Sequence, residues 1–237
     1  LTFGKINFNR MKILHVNAFD AKGGAAKAAF RLNDALNKAD IDSQMFVQFR
    51  ISDNEEVLTE ENQMMVFFNK ILSKLDALIG RLLLKNINNY SAALFSSFNV
   101  IKKINKLNPD IVHLHWTCNG MISIEDIPKI KAPIIWSMHD NWVLSGGCHN
   151  LSLCKNHQKD CNKCNKYINL IHYRKNKSFN KKPDIHFLSL SSWLFELSKN
   201  SSLIGKGKNY HLPNPIDTKV FTPINKDNSR KFFNLPL

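Results

Sequence analysis

Apolar residues along the chain fall into two patterns, short runs and longer stretches with helical spacing. Lys12-Ile13-Leu14-His15-Val16-Asn17 is a short, mostly apolar run that suits a buried parallel strand. A turn follows at Ala21-Lys22-Gly23-Gly24-Ala25-Ala26, after which Ala25, Ala29, Leu32 and Leu36 recur at helical spacing through Ala39. Ser43 to Gln48 reads as the second strand. The strongest helical signal is Gln63 to Lys85, where Phe67, Phe68, Ile71, Leu72, Leu75, Leu78, Ile79, Leu82 and Leu83 make a broad apolar face. Asn99 to Leu107 reads as a short helix stopped by Asn108-Pro109. Buried strands are expected at Asp110–Trp116, Ala132–His139 and Ile185–Leu190, and Ser191-Ser192 suits the cap of a helix from Trp193 to Lys199. Tyr210-His211-Leu212 reads as a last strand before Pro213.

Strand, glycine turn and helix in that order open a βαβ unit, and continued alternation predicts a doubly wound, Rossmann-like α/β domain with a mostly parallel sheet. One domain spanning residues 11–213 accounts for nearly all of the pattern. From Asn214 the chain turns polar and proline-punctuated, as an inter-domain linker over residues 214–237 would be. Residues 1–10 precede Met11-Lys12-Ile13-Leu14, which reads like a natural start, so they are expected to be a disordered leader or upstream sequence.

Composition narrows the function. With 237 residues, 43% of them hydrophobic and 22% charged, the chain can fill a real core and is no disordered segment. Its formal charge of +14 attracts anions, whether nucleotide diphosphates, anionic lipid head groups or nucleic acid. No apolar stretch reaches the roughly 20 residues that span a bilayer, and residues 1–10 carry no signal-peptide core, so the cytoplasm is the expected compartment. There, clustered cysteines point first to a metal. Cys148-x5-Cys154-x6-Cys161-x2-Cys164 offers four thiolates to a structural zinc, with His149 and His157 as alternative ligands; disulfides or unligated thiols are the competing readings. Cys118 stands apart as a small buried residue. The helix of residues 63–85 also has two readings. Packing on its own domain is the simpler. The alternative lays it in the interface of an anionic membrane, with Lys70, Lys74, Arg81 and Lys85 beside the leucine-rich face.

Four pieces, taken in order, resemble family 4 glycosyltransferases of the kind that build bacterial surface polysaccharides. They are Gly23-Gly24-Ala25; Pro109-Asp110-Ile111-Val112-His113-Leu114-His115-Trp116 with Ser123-Ile124-Glu125-Asp126-Ile127; His139-Asp140-Asn141-Trp142 with Ser145-Gly146-Gly147-Cys148-His149; and Pro213-Asn214-Pro215-Ile216-Asp217-Thr218 with Val220-Phe221-Thr222-Pro223. The resemblance implies a GT-B enzyme, in which two Rossmann-like domains face each other across a cleft. The N-terminal one mostly holds a sugar or lipid-linked oligosaccharide acceptor, and the C-terminal one a UDP- or GDP-sugar. It implies transfer with retention of anomeric configuration, in which the leaving phosphate itself takes the acceptor proton. Pro215 stands where many relatives have Gly, which suits an extended linker.

By the same resemblance Gly23, Gly24 and Ala25 would lie beside the donor diphosphate. His139 would support the transferred sugar, and Asp140 would orient it or reach the acceptor. Glycines that merely make a tight turn, and a packed histidine, are the plainer readings. His113 and His115 share one side of a strand by their i, i+2 spacing; His115 is the candidate for lining the cleft, against a core role for both. The family's donor domain has no counterpart up to Leu237, so a chain inactive alone, with its donor domain missing or separate, is expected. Two other classes fit parts of the pattern. One is a non-catalytic glycan- or partner-binding module. The other is a zinc-stabilised nucleic-acid binder, which lacks a zinc-finger His pair and aromatics interleaved in a basic stripe, so no nucleic-acid partner is expected.

Overall fold

The computed structural model describes residues 11–83, 90–204 and 208–236. The expected leader, and Lys85 of the long helix, lie outside them. Six strands form one sheet: β1 (Ile13–Phe19), β2 (Ser43–Phe49), β3 (Ile111–Leu114), β4 (Ile134–Met138), β5 (Ile185–Ser189) and β6 (Asn209–His211). Their spatial order is β2-β1-β3-β4-β5-β6 and every pairing is parallel. The helices are α1 (Gly24–Lys38), α2 (Gln63–Leu83), α3 (Val100–Lys106), α4 (Lys166–Asn180), α5 (Ser192–Lys199) and α6 (Lys226–Phe232). This is the expected Rossmann-like α/β layering. Strand order reverses between β1 and β3, and in such sheets ligands collect at the carboxyl ends of the strands flanking that switch point.

The two sheet faces differ in chemistry. One carries Leu14, Val16, Val112, Leu114, Ile134, Trp136, Met138 and Phe187, all buried in a single apolar core. Alternation along the strands puts His15, Asn17, His113, His115 and Ser137 on the other. All five are buried. Burying that much polar surface is costly unless it is hydrogen-bonded, and the bonds that satisfy it build the site described below.

Two elements depart from the sequence pattern. The periodicity assigns no element to residues 166–180, where the structure forms α4, capped by Asn165 Oδ1 accepting from Tyr167 N at 2.8 Å. Its buried side includes His172, Lys175 and Ser178, so apolar spacing alone does not reveal it. The expected linker is exposed from Leu212 to Ile224, but it then forms the short helix α6, capped by Asn225.

The simpler expectation for α2 is overturned. Most of its apolar face does not pack on the domain: Met64, Phe67, Phe68, Ile71, Leu75, Leu78 and Leu82 are exposed, Phe67 and Leu82 at 60%, while Leu72, Ile79 and Leu83 are half-buried. The buried positions are Asn69, Asp76 and Gly80. Asn69 Oδ1 accepts from Phe98 N and Asp76 Oδ1 from Leu94 N, each at 2.8 Å, so α2 is pinned through its polar side. A Cβ at Gly120 would stand 3.1 Å from the Ser73 backbone, which shows how closely the chain passes under the helix there. No helix of the described residues is long and apolar enough to cross a membrane.

Candidate functional site

A cavity of about 420 Å³ opens at the switch point, lined by Asn17, Phe19, Lys22, Gly23, Gly24, Ala25, Ala26, Trp116, His139 and Asp140. Five of the residues expected from the sequence therefore line one cavity: Gly23, Gly24, Ala25, His139 and Asp140. Asn17 ties the switch point together. Its Oδ1 accepts from Trp116 N at 2.8 Å and its Nδ2 donates to Phe19 O at 2.5 Å, which fixes the end of β1 against the segment after β3.

Gly23 sits at φ +88°, a conformation that only glycine adopts without strain, and it hands the chain to the first turn of α1. A Cβ built on Gly23 or Gly24 would meet nothing within 4 Å, so the backbone faces open space. The first turn of α1 holds no acidic residue. Free N–H groups, the positive end of the helix dipole and Lys22 together make this wall attractive to an anion.

The opposite wall follows β4. His139 and Asp140 also border a neighbouring cavity of about 410 Å³, together with His149, Ser191, Trp193 and Asn214. Two adjoining cavities thus share the His139-Asp140 pair, and the second draws in Asn214 of the fourth sequence motif. Asp140 is clamped. Its Oδ1 accepts from Trp142 N at 2.8 Å, and its Oδ2 pairs with His149 Nδ1 at 2.6 Å. His149 Nε2 in turn lies 2.7 Å from Ser91 Oγ. Burial pushes the His139 pKa down to about 4, with Asp140 opposing the shift, so the ring is neutral near pH 7.

His115 is not on the cavity wall. It is buried, with Nδ1 3.0 Å from His139 Nε2 and Nε2 3.0 Å from His15 Nδ1. The i, i+2 spacing aims it along the sheet rather than out of it, so it contacts His139 instead of the cleft. His113 is also buried, bonded to Ser137 Oγ at 2.8 Å, as its core reading expected.

The four clustered cysteines share one loop whose only regular piece among the described residues is a short 3-10 turn at Asn156–Gln158. All are free thiols. Cys148 and Cys161 pack beside Tyr90, and burial pushes both thiols up to about 11. The Asn156 Nδ2 group donates to Cys164 Sγ at 2.9 Å. His149, the alternative ligand beside Cys148, pairs with Asp140 Oδ2 through Nδ1 and lies 2.7 Å from Ser91 Oγ through Nε2. Among the described residues, the three ligand atoms found within 4.8 Å of one another belong to His15, His113 and His115, not to the cysteines.

Sequence reasoning passed over His15, Ser91 and Lys175, and named His149 only as an alternative zinc ligand and a motif residue. His15 carries a readable signal, a histidine inside an apolar strand whose in-register partner is His113. Lys175 carries none. It lies fully buried in α4, with Nζ 3.4 Å from the centre of the Trp142 ring; it donates to Trp142 O and, at 3.0 Å, to Ser145 O. Burial lowers its pKa to about 7.

No protein-family profile matches the chain. Among curated proteins, the chain is similar to one of Escherichia coli (strain K12) named as a colanic acid biosynthesis glycosyl transferase, WcaC. The two are 24% identical over 165 residues, which cover 65% of this chain and 39% of the relative. The chain thus matches about two-fifths of the length of that relative.

Proposed function

We propose that the chain is the acceptor-side half of a nucleotide-sugar-dependent glycosyltransferase that works in surface-polysaccharide synthesis. The observation that carries this reading is the meeting of Gly23-Gly24 and His139-Asp140 across one cavity at the switch point. The similarity to a glycosyl transferase of colanic acid biosynthesis supports it. In this reading the diphosphate of a nucleotide-sugar approaches the open N-terminus of α1, and the sugar lies against His139. A neutral imidazole offers a hydrogen bond without placing a positive charge beside a sugar ring that is itself becoming cationic. Asp140, held by Trp142 N and His149, supplies a fixed carboxylate for sugar or acceptor hydroxyls. Retention, with the leaving phosphate taking the acceptor proton, asks for no protein base.

Titrating the chain with UDP, GDP or their sugars, followed through backbone amide resonances, should shift Gly23, Gly24 and Ala25. Gly24→Asp puts a carboxylate where the diphosphate is expected. The site is open, so the fold should tolerate the change while affinity drops at least about tenfold. Shifts confined to other regions, or unaltered affinity in Gly24→Asp, would reject the reading.

We further propose that α2 docks the protein on an anionic lipid surface, where a lipid-linked acceptor would be found. Its exposed apolar row is flanked by Lys70, Lys74 and Arg81, all exposed, on a chain of charge +14. That pairing of apolar row and basic margin suits the boundary between acyl chains and acidic head groups. Leu75→Glu with Leu78→Glu should leave unfolding stability within about 0.5 kcal/mol, because both side chains already face solvent. Binding to phosphatidylglycerol vesicles should fall at least about tenfold, since two buried leucines are worth roughly 3 kcal/mol or more. Equal sedimentation of variant and parent with those vesicles would remove the membrane from the proposal.

A further inference from the structure

Three imidazoles run inward from the cavity in single file. His139 Nε2 lies 3.0 Å from His115 Nδ1, and His115 Nε2 lies 3.0 Å from His15 Nδ1. The file ends at His15 Nε2, a buried nitrogen with no hydrogen-bond partner among the described residues. His113 stacks beside its middle, with ring centres 4.3 Å apart, and keeps the plane of His115 fixed. The three ligand nitrogens of His15, His113 and His115 sit close enough for a metal, but the two 3.0 Å contacts already have the geometry of hydrogen bonds between neutral rings.

Burial holds every ring in the file neutral near pH 7: His15 and His139 are lowered to about 4, and His115 lies well below its usual value. A neutral imidazole has one N–H and one bare nitrogen. A file of three joined rings therefore has two self-consistent arrangements. With every proton pointing inward, the last N–H is at His15 Nε2, a buried donor with no acceptor. With every proton pointing outward, His15 Nε2 is a bare acceptor and His139 carries its proton on Nδ1. Buried donors left without acceptors are the rarer and less tolerated of the two.

We infer that the buried end of this file sets the tautomer at the cavity: His15 and His115 hold His139 with its proton on Nδ1, as a neutral hydrogen-bond donor. His15 and His115 are thus positioning residues. Free imidazole side chains in water favour the proton on Nε2, so the protein reverses the intrinsic preference. The inference rests on the glycosyltransferase reading only for what His139 donates to, a hydroxyl or ring oxygen of the bound sugar. It adds a consequence for that reading: a nitrogen that already bears its proton cannot take one from the acceptor, so His139 is no general base.

The test is the imidazole nitrogen spectrum of the uniformly labelled chain near pH 7. His139 is expected to show a protonated, pyrrole-type Nδ1 and a bare, pyridine-type Nε2. His15→Asn keeps an amide donor near the place of Nδ1 and should keep this pattern, whereas His15→Leu removes the donor and should let His139 shift toward Nε2–H. Nucleotide-sugar affinity should fall about tenfold in His15→Leu and recover in His15→Asn, a rescue that loss of packing alone would not show. A pyrrole-type Nε2 on His139 in the parent protein overturns the inference, whether or not either variant folds. The expected tautomer without nucleotide-sugar binding would sink the transferase reading and leave the relay standing. Binding with the opposite tautomer would sink the relay alone.

Discussion

Lowering the pH from 7 to 5 is expected to remove about 4 kcal/mol or more of folding stability, a large share of what a domain of ordinary stability has. The cause is the strip of buried histidines. His15 and His139 are depressed from 6.5 to about 4 by burial, and burial drives His113 and His115 well below the same starting value. In the unfolded chain all four would take up protons near pH 6.5, while in the folded chain they stay neutral. The unfolded state therefore binds more protons, and stability must rise with pH across this window. The contribution is complete above the unfolded pKa and is lost as pH falls from about 6.5 toward 4. His15 and His139 alone give a slope of about 2 kcal/mol per pH unit near pH 5.5, and His113 and His115, shifted the same way, steepen it. His157 and His172 are shifted the same way by burial, whereas burial raises Asp76, which works in the opposite direction. Urea unfolding followed by tryptophan emission from pH 7.5 to 5 reads the slope directly. Stability that stays flat across that range would show that the histidines are charged in the folded protein, or are not buried as described.

The same strip explains which parts of the structure the sequence discloses. Buried parallel strands usually read as unbroken apolar runs. The runs beginning at Lys12, Asp110 and Ala132 identify β1, β3 and β4, and with the helical spacings they are enough for the layering. Histidines at alternate positions of β1 and β3 show in addition that one sheet face is polar, but not which histidine reaches the cavity. Spacing makes His113 and His115 equivalent neighbours on one side. Only the register of β1 on β3, and the position of β4 beside them, sends His115 to His139 and closes the line with His15.

Long-range partners also decide the two misreadings. Apolar periodicity finds α2 but cannot say which side packs. Asn69 and Asp76 are ordinary polar positions until the backbone of residues 94–98 arrives to donate to them. In α4 the informative positions are polar. Arg174 bonds the carbonyls of Ala92 and Ala93 and pairs with Glu125, Lys175 reaches Trp142 and Ser145, and Ser178 donates to Ile124 O. Nothing local in the sequence announces these contacts. Gly23-Gly24 was legible because a turn between strand and helix needs no distant partner.

Gly146→Ala is expected to destabilise the fold by about 3 kcal/mol or more, although it adds a single methyl group. A Cβ at Gly146 would stand 2.2 Å from Ile168 O and 2.5 Å from Ile168 Cγ2. The first of these is backbone in the opening turns of α4, so no side-chain rotation relieves it. The helix must move away from the loop. That movement would pull on the contacts that seat α4, including Lys175 Nζ on Ser145 O, and so weaken hydrogen bonds to buried carbonyls. The disturbance also runs toward the cavity. The Trp142 carbonyl accepts from Lys175, and the Trp142 amide donates to Asp140 at 2.8 Å, so the carboxylate that faces the sugar is tied to the same loop. Gly24→Ala is the matched control, because its Cβ would meet nothing within 4 Å and alanine favours a helix where glycine does not. It should unfold within about 0.5 kcal/mol of the parent, or slightly above it. If urea midpoints of the two variants coincide, the loop yields to the methyl group, and α4 is not the support that holds His139-Asp140 in place.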